Sequence, residues 1–584
     1  MARLSLSIGG NNRPLSTENP AYRSRPEIVE SPPSPSRSAS FHGDETPYDG
    51  RSIDEEKEKA QMGQAVHQRS ETSSLAEVEL DKTEKPEKPF HVFPVGYKRM
   101  LIAIIGVAGL FSGLSSNIYF PATKIIADDL HVSLSSVSLT ITSYLVVQGI
   151  SPLFWGSLSD TIGRRPIYIA SFIVYLAANI ALSFSPNFAV VLLFRGLQSA
   201  GSASTVSIGN GVIQDIAHPS EKGAYISFYQ AIRNFSIAIG PVLGGVFAEK
   251  LGFRSIFVFL VILSGTVFVM ILIFLPETLR TIAGDGSVRL KGMYQPFFER
   301  LVKAPAGVHD REDETLVRKP VSVASFMAPL KLLGQPDVLL HLIFGGMIYA
   351  VWSMVTSSTT SIFQGHFGLD ELEIGLAFLP NGVGTIVGST IVGWLMTRDF
   401  RESEAAYNVA HGFPEDQKLP AKNIPVDFPI ERTRLRHLPW IAGLFVASTA
   451  AYGLSFLTEA DPDPDTAQDW RIVVPLIMQF LVAATSNAVF ALNQSLVSDL
   501  CPGQGAGSTA INNLVRCSLG AVGVAVVEII VSSWGPVVTY VGLGIFVAVV
   551  ATPFAVVNWI YGPGWRVARV TREREAEEQS ERSV

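Results

Sequence analysis

Twelve stretches of mostly apolar residues recur along the chain, each long enough to cross a hydrocarbon core of ~30 Å as a helix of ~20 residues. They fall at 100–120, 135–157, 166–185, 188–212, 223–247 and 254–275, and again at 337–363, 372–396, 438–457, 472–497, 506–531 and 537–560. A long polar insert separates the sixth run from the seventh. The pattern predicts an all-α membrane protein: a six-helix bundle over 96–276, a central loop over 277–336 and a second six-helix bundle over 337–561.

The polar flanks carry their own reading. Residues 1–95 are rich in Ser, Pro, Glu and Lys, as in Ser31-Pro32-Pro33-Ser34-Pro35-Ser36-Arg37-Ser38. Such a composition cannot bury enough apolar surface to offset ordering entropy, so a disordered tail is expected. Its Ser-Pro pairs and lysines fit phosphorylation or ubiquitin attachment, and a bare solvated tail fits as well. A shorter tail is expected over 562–584. No cleavable leader is expected, so the first apolar helix directs insertion.

Composition narrows the class. Of 584 residues, 47% are hydrophobic and 17% charged, whereas a soluble domain carries roughly a quarter charged residues. The polar segments hold no nucleophile–base pair, metal-ligand spacing or phosphate loop. No enzyme, cofactor, metal site or nucleic-acid partner is therefore expected. The partners expected are the lipid bilayer and a small molecule, with the chain acting as a monomer. Cys501 and Cys517 lie near or within apolar runs, so no disulfide framework is expected.

Loop charge predicts orientation. The odd-numbered connections are acidic: Asp128-Asp129, Asp370-Glu371 and Glu459-Ala460-Asp461-Pro462-Asp463. The even-numbered ones are basic, with Arg164-Arg165, then Arg280, Arg289, Lys291, Arg300 and Lys303, then Arg398, Arg401, Arg432, Arg434 and Arg436. Arg566, Arg569, Arg572 and Arg574 follow the last run. Both termini and the central insert are expected in the cytoplasm.

The two halves also share a register. Arg195 and Asp215 on the fourth helix are as far apart as Gln479 and Asp499 on the tenth, and Pro219 and Pro502 follow. The fifth helix carries Gln230-Ala231-Ile232-Arg233 and the eleventh Asn513-Leu514-Val515-Arg516, an amide three residues before an arginine in each. This common order predicts an internal duplication about an axis along the membrane normal.

Between the second and third helices stands Gly156-Ser157-Leu158-Ser159-Asp160-Thr161-Ile162-Gly163-Arg164-Arg165-Pro166. It resembles the G-x-L-x-D-x-x-G-R-[RK] signature of the major facilitator superfamily. Asp160 sits at a helix end where it can pair with arginines, and Gly156 and Gly163 permit the tight turn. Gly393 to Arg401 is similar to a decayed second copy, keeping Asp399 but not the glycine turn. Gly240-Pro241-Val242-Leu243-Gly244-Gly245 resembles the G-P-x-x-G-G signature of the twelve-helix drug:proton antiporter branch. Its proline kinks the helix and its small residues permit close packing. Asn117-Ile118-Tyr119-Phe120-Pro121 and Arg195-Gly196-Leu197-Gln198 are similar to that branch too. Further runs resemble the citrate exporters of filamentous fungi: Leu114-Ser115-Ser116-Asn117, Val351-Trp352-Ser353-Met354 through Thr360, and Gly562-Pro563-Gly564-Trp565-Arg566. Relatives of that group carry quinidine-like drugs, polyamines or secondary metabolites, so the resemblance leaves the substrate open.

Charges at bilayer depth speak to that choice, since each costs about 2.5–3.5 kcal/mol on insertion scales and usually faces a water-filled cavity. The deep ones here are arginines. Arg233 lies ~16 Å into its helix, Arg516 at similar depth and Arg195 ~13 Å in, at 1.5 Å per residue. No Asp or Glu lies as deep; Glu528 is nearer a helix end. Guanidinium binds carboxylate through a planar fork and stays charged, so this set suits an anion. Candidate substrate-binding residues are Arg195, Gln198, Gln230, Arg233, Asn513, Arg516, Asn117 and Gln479. Asn493 and Asn512 are further amides on the pore helices, and Tyr349 and Trp352 are read as packing or gate residues.

The reading favours plasma-membrane export of an organic anion, citrate or a citrate-like polycarboxylate, by alternating access. Export, as opposed to uptake, is what the resemblance implies. The alternative is a multidrug or secondary-metabolite efflux antiporter, and a transporter-shaped sensor is a third class. The coupling ion stays open, with protons carried by Asp160 or by the substrate's own carboxylates as one choice.

Overall fold

The computed structural model describes residues 93–217, 219–286, 290, 292–297, 326–327, 329–414, 425, 427–457, 471–501 and 505–582. The N-terminal tail, the acidic Glu459–Asp463 run and Arg289, Lys291, Arg300 and Lys303 of the insert lie outside them. Among the described residues every regular element is a helix.

In chain order the spanning helices of the first half are α1 (Val95–Asn117), α2 (Leu134–Ile162), α3 (Arg164–Ser183), α4 (Phe188–Ile216), α5 (Pro219–Leu251) and α6 (Arg254–Phe274). The second half has α7 (Pro336–Phe367), α8 (Leu379–Ala410), α9 (Leu438–Leu454) and α10 (Val473–Leu500). The helix Gly505–Phe546 then breaks at Gly535, whose φ of 73° and ψ of 163° no helix can hold. The part before the break is α11. The part after it starts α12, which continues through a wide π turn at Val547–Ala551 into Thr552–Arg582.

Nine segments among the described residues are long and apolar enough to cross a membrane by those criteria alone. One of them, Gly507–Arg572, contains both α11 and α12. The remaining two helices fall short for physical reasons. The α9 helix has only 17 residues. The α4 helix is rich in Ser, Gly and Thr, and its face after Arg195 is almost wholly buried against protein, where lipid imposes no apolar requirement.

Two hydrophobic cores hold the halves, one gathered around Phe111, Phe172 and Ile208 and the other around Phe344, Phe445 and Val489. Packing repeats between them. In the first half α1 lies on α4 and α5, α2 on α4, and α3 on α4 and α6; in the second α7 lies on α10 and α11, α8 on α10, and α9 on α10 and α12. The halves meet where α2 crosses α11 and α5 crosses α8. This pseudo-twofold arrangement is the duplication that the shared register predicts.

At the end of α1 the halves are drawn together. The Phe120 ring stacks on Phe378, with centroids 5.8 Å apart. The Thr360 hydroxyl donates to the Phe120 carbonyl at 2.9 Å. The G-P-x-x-G-G run makes this approach possible. A Cβ on Gly244 would lie 2.0 Å from the Ile118 carbonyl oxygen, and one on Gly245 2.3 Å from that of Glu371 in the other half. Pro241 stands inside α5 beside Gly240, which faces Asn117 of α1.

The last helix runs on through the tail expected over 562–584, to Arg582, and two of its arginines find partners on the second bundle. Arg566 pairs with Glu431 at 2.8 Å, and Arg569 pairs with Asp337 at 3.1 Å and donates to the Leu500 carbonyl at 3.0 Å.

Candidate functional site

A central cavity lies between the halves. Side chains from α1, α2, α4 and α5 of one half and from α7, α10 and α11 of the other line it. Of the eight candidate binding residues, Asn117, Arg233, Asn513 and Arg516 are on its wall. No Asp or Glu is among the described residues that line it. The cavity therefore carries two guanidinium charges with no carboxylate among the described residues of its wall.

The two arginines are held differently. Arg516 lies under two rings, its guanidinium carbon 4.4 Å from the Tyr349 centroid and 4.6 Å from that of Phe490. Its Nη2 donates to Asn513 Oδ1 at 2.9 Å, while Nε has no hydrogen-bond partner. Arg233 is half-buried, and no hydrogen bond or ion pair holds its guanidinium among the described residues. The arginine of the amide-x-x-Arg repeat thus reaches the cavity in both halves, but only the second copy is braced by its own amide.

Gln230, Arg195, Gln198 and Gln479 do not reach the wall, contrary to the reading from depth. Arg195 is 1% exposed. Its Nη1 donates to the Ser115 carbonyl at 2.9 Å and to Gln198 Oε1 at 2.6 Å. Its guanidinium carbon sits 4.1 Å from the Tyr119 ring and 4.5 Å from the Tyr144 ring. Gln198 in turn donates to Asn179 Oδ1 at 2.7 Å. This network ties α1, α2, α3 and α4 together inside the first bundle. Gln479, the counterpart of Arg195, donates to Thr359 at 3.2 Å inside the second. Gln230 is half-buried, with Oε1 sequestered and unpaired. Depth along a helix says how far a charge is from water, but not which way round the helix it points. Asn512 likewise bonds Gln494 at 2.8 Å, away from the cavity.

Several wall residues were outside the candidate set. Gln148, Asn234 and Asn487 bring further amides, and Ser112, Ser116, Ser353 and Thr356 bring hydroxyls. Asn487 and Phe490 on α10 stand at the positions that repeat Ala203 and Val206 on α4, and all four line the cavity. The repeat register set by Arg195 and Gln479 relates the two pairs, but with neither Ala203 nor Val206 carrying a polar group it marked none of the four in the sequence. Tyr349 and Trp352 are on the wall as well, and Trp352 is fixed by donating Nε1–H to Asn381 Oδ1 at 2.8 Å.

The family model described as Major Facilitator Superfamily matches residues 105–524. The chain belongs to the major facilitator superfamily. It is 44% identical over 495 residues to Citrate exporter 1 of Aspergillus niger, covering 85% of this chain and 91% of that one. It is 32% identical over 510 residues to the MFS-type transporter phiD of a fungal species, covering 85% and 73% respectively. It is 29% identical over 486 residues to the MFS antiporter QDR2 of Candida albicans, covering 82% and 91%.

The loop that resembles the superfamily signature is a compact knot of charge. Arg164 bridges Asp160 at 2.5 Å and, across to the end of α4, Asp215 at 2.9 Å. The Arg164 and Asp215 side chains are 8% and 11% exposed, that of Asp160 46%. Gly163 adopts φ 126°, and a Cβ there would lie 2.5 Å from Glu277 Oε2. Glu277 just beyond α6 accepts the backbone N–H of Arg164 at 2.8 Å, of Arg165 at 3.2 Å and of Leu279 at 2.9 Å. Burial pushes the Glu277 carboxyl above its ordinary range, and these backbone donors pull it part of the way back. Arg165 caps the carbonyl end of α6, donating to Ile271 at 2.9 Å and Leu272 at 2.8 Å and also to Leu275. Gly156 faces Ser207 at ordinary contact distance.

The second half divides the same work between two arginines. Arg434 pairs with Asp499, the counterpart of Asp215, at 2.8 Å. Arg436 pairs with Asp399 at 3.3 Å, and His437 approaches the same carboxylate at 2.8 Å. The charge pattern therefore survives in the superfamily's second half, although the glycine turn is lost and the arginines follow a long insertion.

Proposed function

We propose that this major facilitator chain exports an organic anion, citrate or a citrate-like polycarboxylate, across the plasma membrane by alternating access of the two bundles. One observation carries the proposal: Arg233 and Arg516 face one cavity whose described wall holds no carboxylate. A cationic substrate would meet two like charges there, which costs affinity, whereas a di- or tricarboxylate supplies the missing counter-charges. The surrounding amides and hydroxyls have the capacity to satisfy its remaining oxygens. The 44% identity to a protein named a citrate exporter supports the same substrate class and the outward direction. Proton coupling belongs to the proposal. With no acid on the described wall, the proton would ride on the substrate's own carboxylates or on Asp160.

The similarity to an MFS antiporter of the QDR2 type favours drug or metabolite efflux as the second reading. Expression in a host with low citrate secretion separates the two. The expected result is citrate accumulating in the medium with unchanged tolerance to a cationic drug. Drug tolerance without carboxylate release would favour the second reading.

Positive-inside charge supports a cytoplasmic location for both termini, the central insert and the Arg164 knot. On that orientation the Phe120–Phe378 contact closes the cavity on its outer side. Reporter tags after residue 280 and after residue 566 should be inaccessible on intact cells, and a tag near Asp463 accessible. Shielding of the Asp463 tag on intact cells would reverse the assignment.

A further inference from the structure

Tyr349 of α7 and Phe490 of α10 lie on the Arg516 guanidinium at 4.4 Å and 4.6 Å. Asn513, one turn before it on α11, holds Nη2 at 2.9 Å. Gly520, one turn after it, leaves the space that the Tyr349 ring occupies, since a Cβ there would lie 2.8 Å from Tyr349 Cε1.

We propose that Tyr349, Phe490 and Gly520 form a positioning clamp that fixes Arg516 with its edge towards the cavity, so that it receives a carboxylate in plane and cannot be stacked upon by a flat aromatic substrate. The inference rests on the anion reading above and deepens it. A guanidinium is recognised in two ways: in its plane by the fork of a carboxylate, and through its faces by an aromatic ring. Here the protein's own rings are on the guanidinium, which leaves the in-plane contact to the substrate. Nη2 donates to Asn513, which leaves Nη1 and Nε as the donors without a protein partner among the described residues. Among the described residues the first half has no equivalent at Arg233. The position that repeats Phe490 is Val206, and no ring covers Arg233 among the described residues. The second bundle thus supplies a preset anchor, and the first an arm free to close on the far end of a polycarboxylate. Ordering one arginine in advance lowers the entropy lost on binding.

The test uses the full-length protein in proteoliposomes, with labelled citrate as probe. Tyr349→Leu and Phe490→Leu are each expected to raise the KM about 3- to 30-fold, the span of an aromatic–guanidinium contact, with the maximal rate little changed. Tyr349→Phe keeps the ring and should keep the KM. Gly520→Ala is the most telling variant, because alanine favours the helix itself. It should raise the KM by displacing Tyr349 while the melting temperature in detergent does not fall. A second readout needs no transport: an arginine-directed dicarbonyl reagent, mapped by mass spectrometry, should modify Arg516 slowly in the wild type and several-fold faster in Tyr349→Leu. Wild-type KM in both Gly520→Ala and Tyr349→Leu, or equal modification of Arg516 with and without the ring, overturns the clamp. A wild type that moves no citrate but protects Arg516 overturns the anion reading and leaves the clamp standing.

Discussion

Arg516→Ala is expected to raise the KM for citrate by about ten- to a hundredfold, the equivalent of one charge-assisted hydrogen bond of roughly 1.5–3 kcal/mol. Arg233→Ala should act in the same direction, at the lower end of that range. The structure gives the reason for the difference. Arg516 is braced by Asn513 and by two rings before substrate arrives. Arg233 has no such brace and loses more side-chain freedom on binding. Lysine at position 516 should rescue only in part, because an ammonium keeps the charge but neither stacks on the rings as a planar guanidinium can nor makes the forked contact. A cationic drug should bind no worse after either change. Kinetics of citrate release at matched protein abundance check the prediction, and equal KM values in wild type and both variants would remove the arginines from the site.

Arg164→Ala is expected to be far more damaging than Asp160→Ala, although both residues belong to one signature. Arg164, at the start of α3, is joined to α4 through Asp215, and both partners are nearly out of water. Removing the arginine leaves the Asp215 carboxylate buried without its partner, at a cost of ~3–5 kcal/mol. Asp160 is close to half-exposed, and exposed pairs contribute about 0–1 kcal/mol. Turnover should therefore fall steeply in Arg164→Ala with citrate binding largely retained, since the knot lies away from the cavity wall. Asp160→Ala should show a mild version of the same defect. Arg434→Ala, which leaves Asp499 unpaired in the second half, should resemble Arg164→Ala. Thermal stability in detergent, citrate binding and turnover measured together check this order; equal defects at 160 and 164 would contradict the bridging role.

The helices were legible from apolar run length because each must satisfy its backbone internally whatever lies beside it. Even α4, too polar for a hydropathy threshold, is marked by the motif and repeat it carries. The pairing of Arg233 with Arg516 was legible too, since a duplicated fold carries a repeated spacing to matching places. What the chain did not reveal was direction around the helix axis. Arg195 is as deep as the others but turns into the first bundle, where Tyr119, Tyr144, Ser115 and Gln198 surround it. A pore helix buried on nearly all sides has no apolar stripe to tell its cavity face from its packing face. Arg434 escaped because a long insertion stands between it and Asp399, so no fixed spacing links it to the loop signature. The clamp escaped because Tyr349, Phe490 and Gly520 come from three helices and meet only in the fold.

The central claim is that the cavity binds and moves a polycarboxylate. Its most direct measurement is release of labelled citrate from proteoliposomes containing the purified wild type or the Arg233→Ala/Arg516→Ala double variant, each checked for correct folding. Rapid, saturable release by the wild type, competed by unlabelled tricarboxylate and not by a cationic dye, is expected, with near-background release by the double variant. Release of citrate at the same rate by both proteins, or transport of the dye and not of citrate by the wild type, would contradict it.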